Sequence, residues 1–328
     1  MYNKLKIAIC GYGNLGRGVE SEINRFSDLE LVAIFTRRKP SNDLKSASDV
    51  PMLHVDSAID YKNKIDVMIL CGGSKDDLPE QTPFFASLFN CIDSFDTHNK
   101  IPEHLKAVDL QAKNSGKVAI VSVGWDPGLF SLMRGFMGAV LPDGKTYSFW
   151  GPGVSQGHSD AIRRVKGVLN GVQYTLPVES AVAKVRKGIT SNLTARQKHT
   201  RVCYVVADEK TSKKQIEKTI KEMPDYFSDY DTTVHFVTAD ELAKNHAGLP
   251  HGGNVLHIGK TGESNTQKIE FSLKLDSNPE FTSSALLAYA RAAHRLHAKG
   301  GSGAYTVFDI APSLVFGGDR DVAIKEIL

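Results

Sequence analysis

Leu5-Lys6-Ile7-Ala8-Ile9-Cys10-Gly11-Tyr12-Gly13-Asn14-Leu15-Gly16 joins a short apolar run to a glycine-spaced turn. Leu5 to Cys10 reads as a buried strand, and Asn14 to about Phe26 as an amphipathic helix. A G-x-G-x-x-G pattern alone says little. Set between a strand and a helix, it reads as a dinucleotide-binding turn. Gly11 permits the tight turn, Gly13 lets backbone approach a pyrophosphate, and Gly16 lets the helix pack closely on the strand. The free N–H groups and dipole of that helix then face the phosphates. Tyr12, Asn14 and Leu15 belong to the same cofactor-binding loop.

The end of the next strand, Leu31–Thr36, selects between cofactors. An NAD site places Asp or Glu there, to accept from the ribose 2′-hydroxyl. This chain has Phe35-Thr36-Arg37-Arg38, with no acid within reach. A hydroxyl and two guanidinium groups suit a 2′-phosphate, which Arg can bind bidentately. NADP is therefore the expected cofactor, and a solvated basic turn is the plain alternative.

Working outward, short apolar runs alternate with helix-length segments through about residue 123. Asp66–Cys71, Cys91–Ser94 and Val118–Val123 read as further strands. Ser74 reads as the N-cap of a helix through Phe89, and a second helix runs from about Pro102 to Asn114. Such alternation implies parallel strands and a doubly wound, Rossmann-type sheet in a first domain, 1–123. From Gly124 the texture changes. Phe149–Gly157 reads as a pocket-lining loop, and strands follow at Arg201–Ala207, Thr232–Val237, Asn254–Ile258 and Lys268–Leu275. The last alternates apolar and polar residues, as in an antiparallel sheet with one open face. The second domain, 124–299, is thus expected to be α+β with a mostly antiparallel sheet. Its last element, a helix Phe281–Lys299, is expected to pack back on the first domain. A strand Ala304–Ile310, in the segment from about 300 to 328, is expected to pack back on the first domain.

Composition fits a chain able to bury two cores: 328 residues, 41% hydrophobic and 23% charged. Lys+Arg exceed Asp+Glu by 40 − 37 = 3, so no charge excess points to nucleic acid or an anionic membrane. The apolar runs are strand-length, and the start does not resemble a signal peptide, so the expected compartment is the cytoplasm. Cys10, Cys71, Cys91 and Cys203 form no C-x-x-C pair and read as small buried hydrophobes. The eleven histidines show no metal-ligand spacing, and no metal is expected.

Beyond the dinucleotide turn, long segments match one family. They include Gly11–Arg17, Ile34–Arg38, Pro79–Gln81, Gly124-Trp125-Asp126-Pro127-Gly128 and Phe149-Trp150-Gly151-Pro152-Gly153. Others are Ser155-Gln156-Gly157-His158-Ser159-Asp160-Ala161, Gln173-Tyr174-Thr175-Leu176-Pro177, Met223–Phe227, Pro250-His251-Gly252-Gly253 and Leu275-Asp276. Along almost its entire length the chain resembles meso-diaminopimelate dehydrogenase. The resemblance implies NADP-dependent oxidative deamination of the D-centre of meso-2,6-diaminopimelate, giving L-2-amino-6-oxopimelate, ammonia and NADPH. It also implies a homodimer and a place in bacterial lysine biosynthesis. The family often has Met-Gly where this chain has Gly72-Gly73.

Deamination by hydride transfer needs a held amine, a proton acceptor and water for the resulting imine. Most of the rate comes from positioning two bound reactants. Asp96 and Asp126 follow the strands Cys91–Ser94 and Val118–Val123, on the rim where ligands bind in doubly wound folds. They read equally well as helix caps. The resemblance assigns both to the reacting amine. His158 is a rival base, although a lone histidine is more often structural. Cys71-Gly72-Gly73-Ser74, Asp93-Ser94-Phe95 and Val123-Gly124-Trp125-Asp126-Pro127 lie at strand ends on the same rim and are assigned to the cofactor.

In the matching motifs Thr175, Arg201 and His251 are the candidates for the distal carboxylate, Arg supplying the planar fork. On residues alone Arg201 is a strand-end charge and Thr175 a strand residue. Trp150 is expected to wall the substrate pocket. Gln156 and the Gly157 N–H are candidates for the reacting carboxylate, with Ser155 and Asp160 beside them. Asn278 matches the family site, and Asn278-Pro279 also suits a helix N-cap and first turn. Two other functions are consistent with the turn: a D-amino-acid dehydrogenase of broader specificity, and a catalytically silent NADP-binding sensor. The distal clamp opposes the first, and the retention of Asp96 and Asp126 opposes the second.

Overall fold

The computed structural model describes residues 4–38, 45–318 and 320–328. The chain divides into two compact units, Met1–Leu132 with Pro279–Leu328, and Met133–Asn278.

The first unit contains β1 (Leu5–Cys10), α1 (Asn14–Glu22), β2 (Leu29–Thr36), β3 (Met52–His54), β4 (Val67–Leu70), α2 (Leu78–Ala86), β5 (Asn90–Asp93), α3 (Ile101–Ser115) and β6 (Val118–Ile120). Helix α4 (Leu129–Val140) follows. Alternation along each strand sorts the side chains between two faces. Ile7 and Ile9 of β1 join Ile34, Ile69, Ile92 and Ile120 in one buried layer. Ala8 and Cys10 join Phe35, Met68, Leu70 and Cys91 in the other. Burial on both faces forces a helical layer on each side, the doubly wound arrangement expected from the sequence.

In the second unit, β7 (Lys145–Trp150), β8 (Gly153–Val154), α5 (Gln156–Arg163), β9 (Val168–Pro177), α6 (Glu179–Arg186), α7 (Ala195–Lys198) and β10 (His199–Ala207) come first. Then come α8 (Lys213–Lys221), β11 (Asp231–Phe236), α9 (Ala239–Asn245), β12 (His251–Thr261) and β13 (Asn265–Leu275). Two sheets form, ordered β11-β10-β9-β8 and β13-β12-β7. All their pairings are antiparallel except β10 with β11. Phe149, Leu256 and Ile258 pack with α6 in one core. Ile162, Cys203, Val205, Ile216 and Phe227 form the other.

The chain ends with α10 (Asn278–Ala298), β14 (Gly303–Tyr305), α11 (Pro312–Val315) and α12 (Arg320–Ile327). β14 pairs parallel with β6, so the first unit's sheet has seven strands, ordered β14-β6-β5-β4-β1-β2-β3. The order reverses between β1 and β4, and the turn after β1 stands at that switch point. Gly11 N donates to Phe35 O at 2.8 Å, and Cys71 N to Cys10 O at 2.7 Å.

Several elements depart from the sequence expectation. β3, β7 and β8 have no counterpart among the expected strands, and Phe149–Gly157 is not one loop but the end of β7, then β8 and the start of α5. Ser74 does not cap α2, whose N-cap is Asp77. The strand expected over Ala304–Ile310 is three residues long and continues into a 3-10 turn at Val307–Asp309. The helix expected over Phe281–Lys299 runs from Asn278 to Ala298 and packs with the first unit. Leu286, Leu287 and Ala290 sit in the core with Ile7 and Val19, and Ser283 Oγ donates to Leu15 O at 3.1 Å. Gly18 makes this possible, because a Cβ there would lie 2.5 Å from Ser283 Oγ.

Candidate active site

The three glycines of the turn have distinct jobs. Gly11 has φ +98, and a Cβ there would lie 3.0 Å from the carbonyl of Cys71. A Cβ on Gly16 would lie 2.1 Å from Gly11 O. Both positions are closed by the chain itself. At Gly13 a Cβ would meet nothing within 4 Å, and no side chain caps α1 there. An open backbone cradle at an uncapped helix N-terminus fits a pyrophosphate.

The residues around this cradle are distributed unevenly between ligand-facing and structural duty. Asn14 is exposed and Leu15 half-buried, whereas the Tyr12 ring is buried and its hydroxyl donates to Glu20. Burial and Glu20 push the Tyr12 phenol up to about 12. Glu20 also accepts from Ser48 N at 2.9 Å and Ser48 Oγ at 2.6 Å. Thr36 is buried and its Oγ1 accepts from Arg38 N at 3.2 Å, while the Arg38 guanidinium donates to Tyr12 O. Arg37 is exposed. The sequence places no acid near this turn, but the fold brings one: Asp77, 2.7 Å from the Arg37 guanidinium. Asp77 Oδ2 also accepts from Gly73 N at 2.8 Å. Only the fold could reveal this contact, because forty residues separate the partners.

Asp93, assigned to the cofactor from its strand-end position, has a fully buried carboxylate turned inward. Oδ1 accepts from Phe95 N at 3.1 Å and Ser122 N at 2.8 Å. Oδ2 accepts from Thr82 Oγ1 at 2.8 Å and lies 2.6 Å from His104 Nε2. Phe95 stacks on the His104 ring at 4.1 Å. Ser94 is half-buried. Asp96 is exposed on the segment after β5, and its N–H donates to Ser74 Oγ at 2.7 Å. Thus Ser74 ties that segment to the turn Cys71-Gly72-Gly73. Val123, Gly124, Trp125 and Pro127 are buried and Asp126 is half-buried. Trp125 packs edge-on against Phe130 at 5.2 Å.

In the second unit two of the predicted substrate residues, Thr175 and Arg201, lie on the neighbouring strands β9 and β10. Thr175 and Arg201 are paired across β9 and β10, and Gly153 of β8 pairs with Thr175 from the other side. A Cβ on Gly153 would lie 2.5 Å from His251 Cα, so this glycine lets His251 reach the same place. The Arg201 guanidinium donates to Thr175 Oγ1 and lies 4.0 Å over the Tyr230 ring. Arg201 is only 6% exposed, and its Nε is buried without a partner. No carboxylate pairs with it among the described residues. Nearby, Gln173 is fully buried with its Oε1 unpartnered.

A buried cation without a counter-ion is costly unless a ligand supplies one. Its charge is also felt by the neighbouring histidines. Burial and then Arg201 bring His158 down to about 4, and burial, Arg201 and Lys198 bring His199 down to about 3. Both imidazoles are therefore neutral near pH 7. His158 Nδ1 lies 2.8 Å from Ser155 Oγ, and its ring packs edge-on against Tyr226 and Phe227. His199 Nε2 accepts from Trp150 N at 2.8 Å, and the two rings stack at 5.1 Å. The sequence reading passed over His199 and Tyr230. Alternation along β10 was the available signal for His199, since it shares a face with Arg201; nothing local marked Tyr230.

Ser155 caps α5 through its hydroxyl. Gln156 and Gly157 are exposed at the first two positions of that helix, where N–H groups lack intrahelical acceptors. Asp160 is exposed and pairs with Arg163. Asn278 opens α10 rather than preceding it, and its N–H donates to Leu249 O at 2.9 Å.

A family model for the diaminopimelic acid dehydrogenase C-terminal domain matches residues 124–277. A meso-diaminopimelate D-dehydrogenase of Ureibacillus thermosphaericus is 58% identical over 326 residues, covering 99% of this chain and 100% of that protein. The chain belongs to the meso-diaminopimelate D-dehydrogenase family. Solved structures agree. A Clostridium tetani E88 meso-dapdh with six substitutions, crystallised with DAP, matches at TM-score 0.94 and 50% identity, over 99% of this chain and 100% of that one. An engineered D-amino acid dehydrogenase bound to NADP+ matches at TM-score 0.89 and 42% identity, with the same coverage. Among the described residues, no helix is long and apolar enough to cross a membrane.

Proposed function

We propose that this member of the family oxidatively deaminates the D-centre of meso-2,6-diaminopimelate with NADP+, giving L-2-amino-6-oxopimelate, ammonia and NADPH. The observation that carries the substrate is Arg201, a buried guanidinium lacking a carboxylate partner beside Thr175. A simple D-amino acid offers nothing to it, whereas the distal carboxylate of diaminopimelate does. The six substitutions in the C. tetani variant fall on Gln, Thr, Arg, Pro, His and Asn, separated by 19, 26, 49, 1 and 27 residues. Gln156, Thr175, Arg201, Pro250, His251 and Asn278 stand at the same separations here, which supports treating them as one set.

Bound NADP+ supplies the acceptor for the hydride leaving the D-centre α-carbon. Gly13 at the start of α1 would hold the pyrophosphate, and Thr36, Arg37 and Arg38 would hold the 2′-phosphate. Cys71-Gly72-Gly73-Ser74, the backbone at Asp93-Ser94-Phe95, and Val123 to Pro127 complete the cofactor site. Asp96 and Asp126 hold the reacting ammonium, and one of them takes its proton before hydride leaves. Water then adds to the imine carbon and ammonia departs. Gln156 and the Gly157 N–H hold the adjacent carboxylate, Trp150 walls the pocket, and Thr175, Arg201, His251 and Asn278 hold the distal end. His158, neutral and close to Ser155 Oγ, is a weak base and orders the start of α5 instead. The protein works as a homodimer in the cytoplasm; Phe136 and Val140, exposed four residues apart on α4, supply apolar surface suited to a second copy.

Absorbance at 340 nm with NADP+ and the meso, LL and DD isomers tests the reading. NADPH is expected from the meso isomer and not from LL. No NADPH from the meso isomer would sink it, and equal efficiency with D-alanine would favour a broad D-amino-acid dehydrogenase.

A further inference from the structure

The fully buried carboxylate of Asp93 does more than end β5. Its two oxygens collect four donors from four separate stretches: Phe95 N, Ser122 N, Thr82 Oγ1 of α2 and His104 Nε2 of α3, at 3.1, 2.8, 2.8 and 2.6 Å. Phe95 immediately precedes Asp96, and Ser122 stands four residues before Asp126. Ser122 takes a left-handed φ of +59, a conformation that a non-glycine residue keeps only when its surroundings hold it. Its N–H is held by Asp93 Oδ1, and Val123 N is held by Asp93 O at 2.9 Å. One side chain therefore sets the register of both segments that carry the carboxylates assigned to the reacting amine.

We propose that Asp93, braced by His104 and Thr82, is a positioning residue for the deamination, holding the segments of Asp96 and Asp126 at a common reference point. The inference rests on the function proposed above. Its physical basis is that a buried carboxylate is stable only while its lone pairs are satisfied. Removing the His104 donor leaves Oδ2 under-satisfied. The carboxylate then shifts or rehydrates, and it carries Phe95 N and Ser122 N with it. A displacement near 1 Å at a reacting group costs roughly 10²-fold in rate.

The experiment compares H104L, which removes the donor, with H104Q, whose Nε2 reproduces it. Expected for H104L is a fall in kcat of roughly 30- to 100-fold, with the KM for meso-diaminopimelate and the Kd for NADP+ each within about threefold of wild type. The primary deuterium isotope effect on kcat, read with substrate labelled at the D-centre, rises as hydride transfer becomes limiting. H104Q restores kcat to within about fivefold. A purely structural brace would lower the unfolding midpoint and leave kcat per folded molecule and the isotope effect unchanged. That result overturns the proposal, as does an H104Q no better than H104L. If H104L is not recovered folded, T82V is read in its place: a loss of about fivefold in kcat supports the proposal, and a kcat within twofold of wild type overturns it. Wild-type turnover is the control. Its absence refutes the function reading, while its presence beside an unaffected H104L refutes the positioning role alone.

Discussion

Arg201 is the position where activity and stability are expected to move in opposite directions. In the free protein its guanidinium is 6% exposed, its Nε has no partner, and no carboxylate pairs with it among the described residues. Burial lowers its pKa, the sign expected of an uncompensated interior cation. Replacement by methionine, of similar length and without charge, removes that burden. Replacing buried charge by a well-packed hydrophobe is often neutral or stabilising by about 1–4 kcal/mol. For a chain of this size, a gain of about 1 kcal/mol raises the apparent Tm by roughly 2–4 °C. The same substitution leaves the distal carboxylate without its buried partner, at about 2–5 kcal/mol. That is a fall in kcat/KM of roughly 30- to 5,000-fold, since each 1.36 kcal/mol is tenfold. R201M and wild type are compared by NADPH production from meso-diaminopimelate and by thermal melting. D-Alanine serves as the substrate without a distal carboxylate, and its kcat/KM is expected to stay within about threefold. A lower Tm with kcat/KM for the meso isomer unchanged would refute the reasoning, because Arg201 would then be a structural cation.

Three further outcomes follow from the geometry. R37A/R38A is expected to raise the KM for NADP+ by about 10²-fold while leaving that for NAD+ nearly unchanged, the loss of two charge-assisted contacts to one phosphate; an unaltered cofactor preference refutes it. G13A, with open space at its Cβ, is expected to keep the wild-type Tm yet weaken NADP+ at least tenfold, whereas G16A, with Gly11 O 2.1 Å away, is expected to lose several kcal/mol of stability. Equal melting of the two, by circular dichroism, contradicts this. His158 and His199 have folded pKa values near 4 and 3, below 6.5. The unfolded chain therefore binds their protons first, so their contribution is present above pH 6.5 and lost as pH falls through the folded values. Urea unfolding from pH 7 to 4 should show a shallower slope for H158Q/H199Q, and an identical slope would mean that neither histidine is held neutral.

The turn Gly11 to Gly16, the basic pair Arg37-Arg38 and the alternation of strands and helices were readable directly, because each depends on neighbours within a few residues. Local chemistry sets a glycine's freedom, a strand's period and the first turn of a helix. The family segments added Thr175, Arg201 and His251; on residues alone Arg201 read as a strand-end charge and Thr175 as a strand residue.

Tertiary structure decided everything that depends on partners far along the chain. Asp93 was assigned to the cofactor, but its carboxylate is turned inward by three donors from other elements, Thr82, His104 and Ser122, together with Phe95 N on its own segment. Asp77 reached Arg37 from forty residues away, and α10 joined the first unit because Gly18 let it approach α1. Arg201 is exposed or buried depending on what β9 and Tyr230 do around it, and no window of sequence contains that information. The strand-end turn already specified a dinucleotide. Burial of a lone guanidinium, a property of the folded neighbourhood and not of the residue, is what converts Arg201 from a surface charge into a seat for a carboxylate.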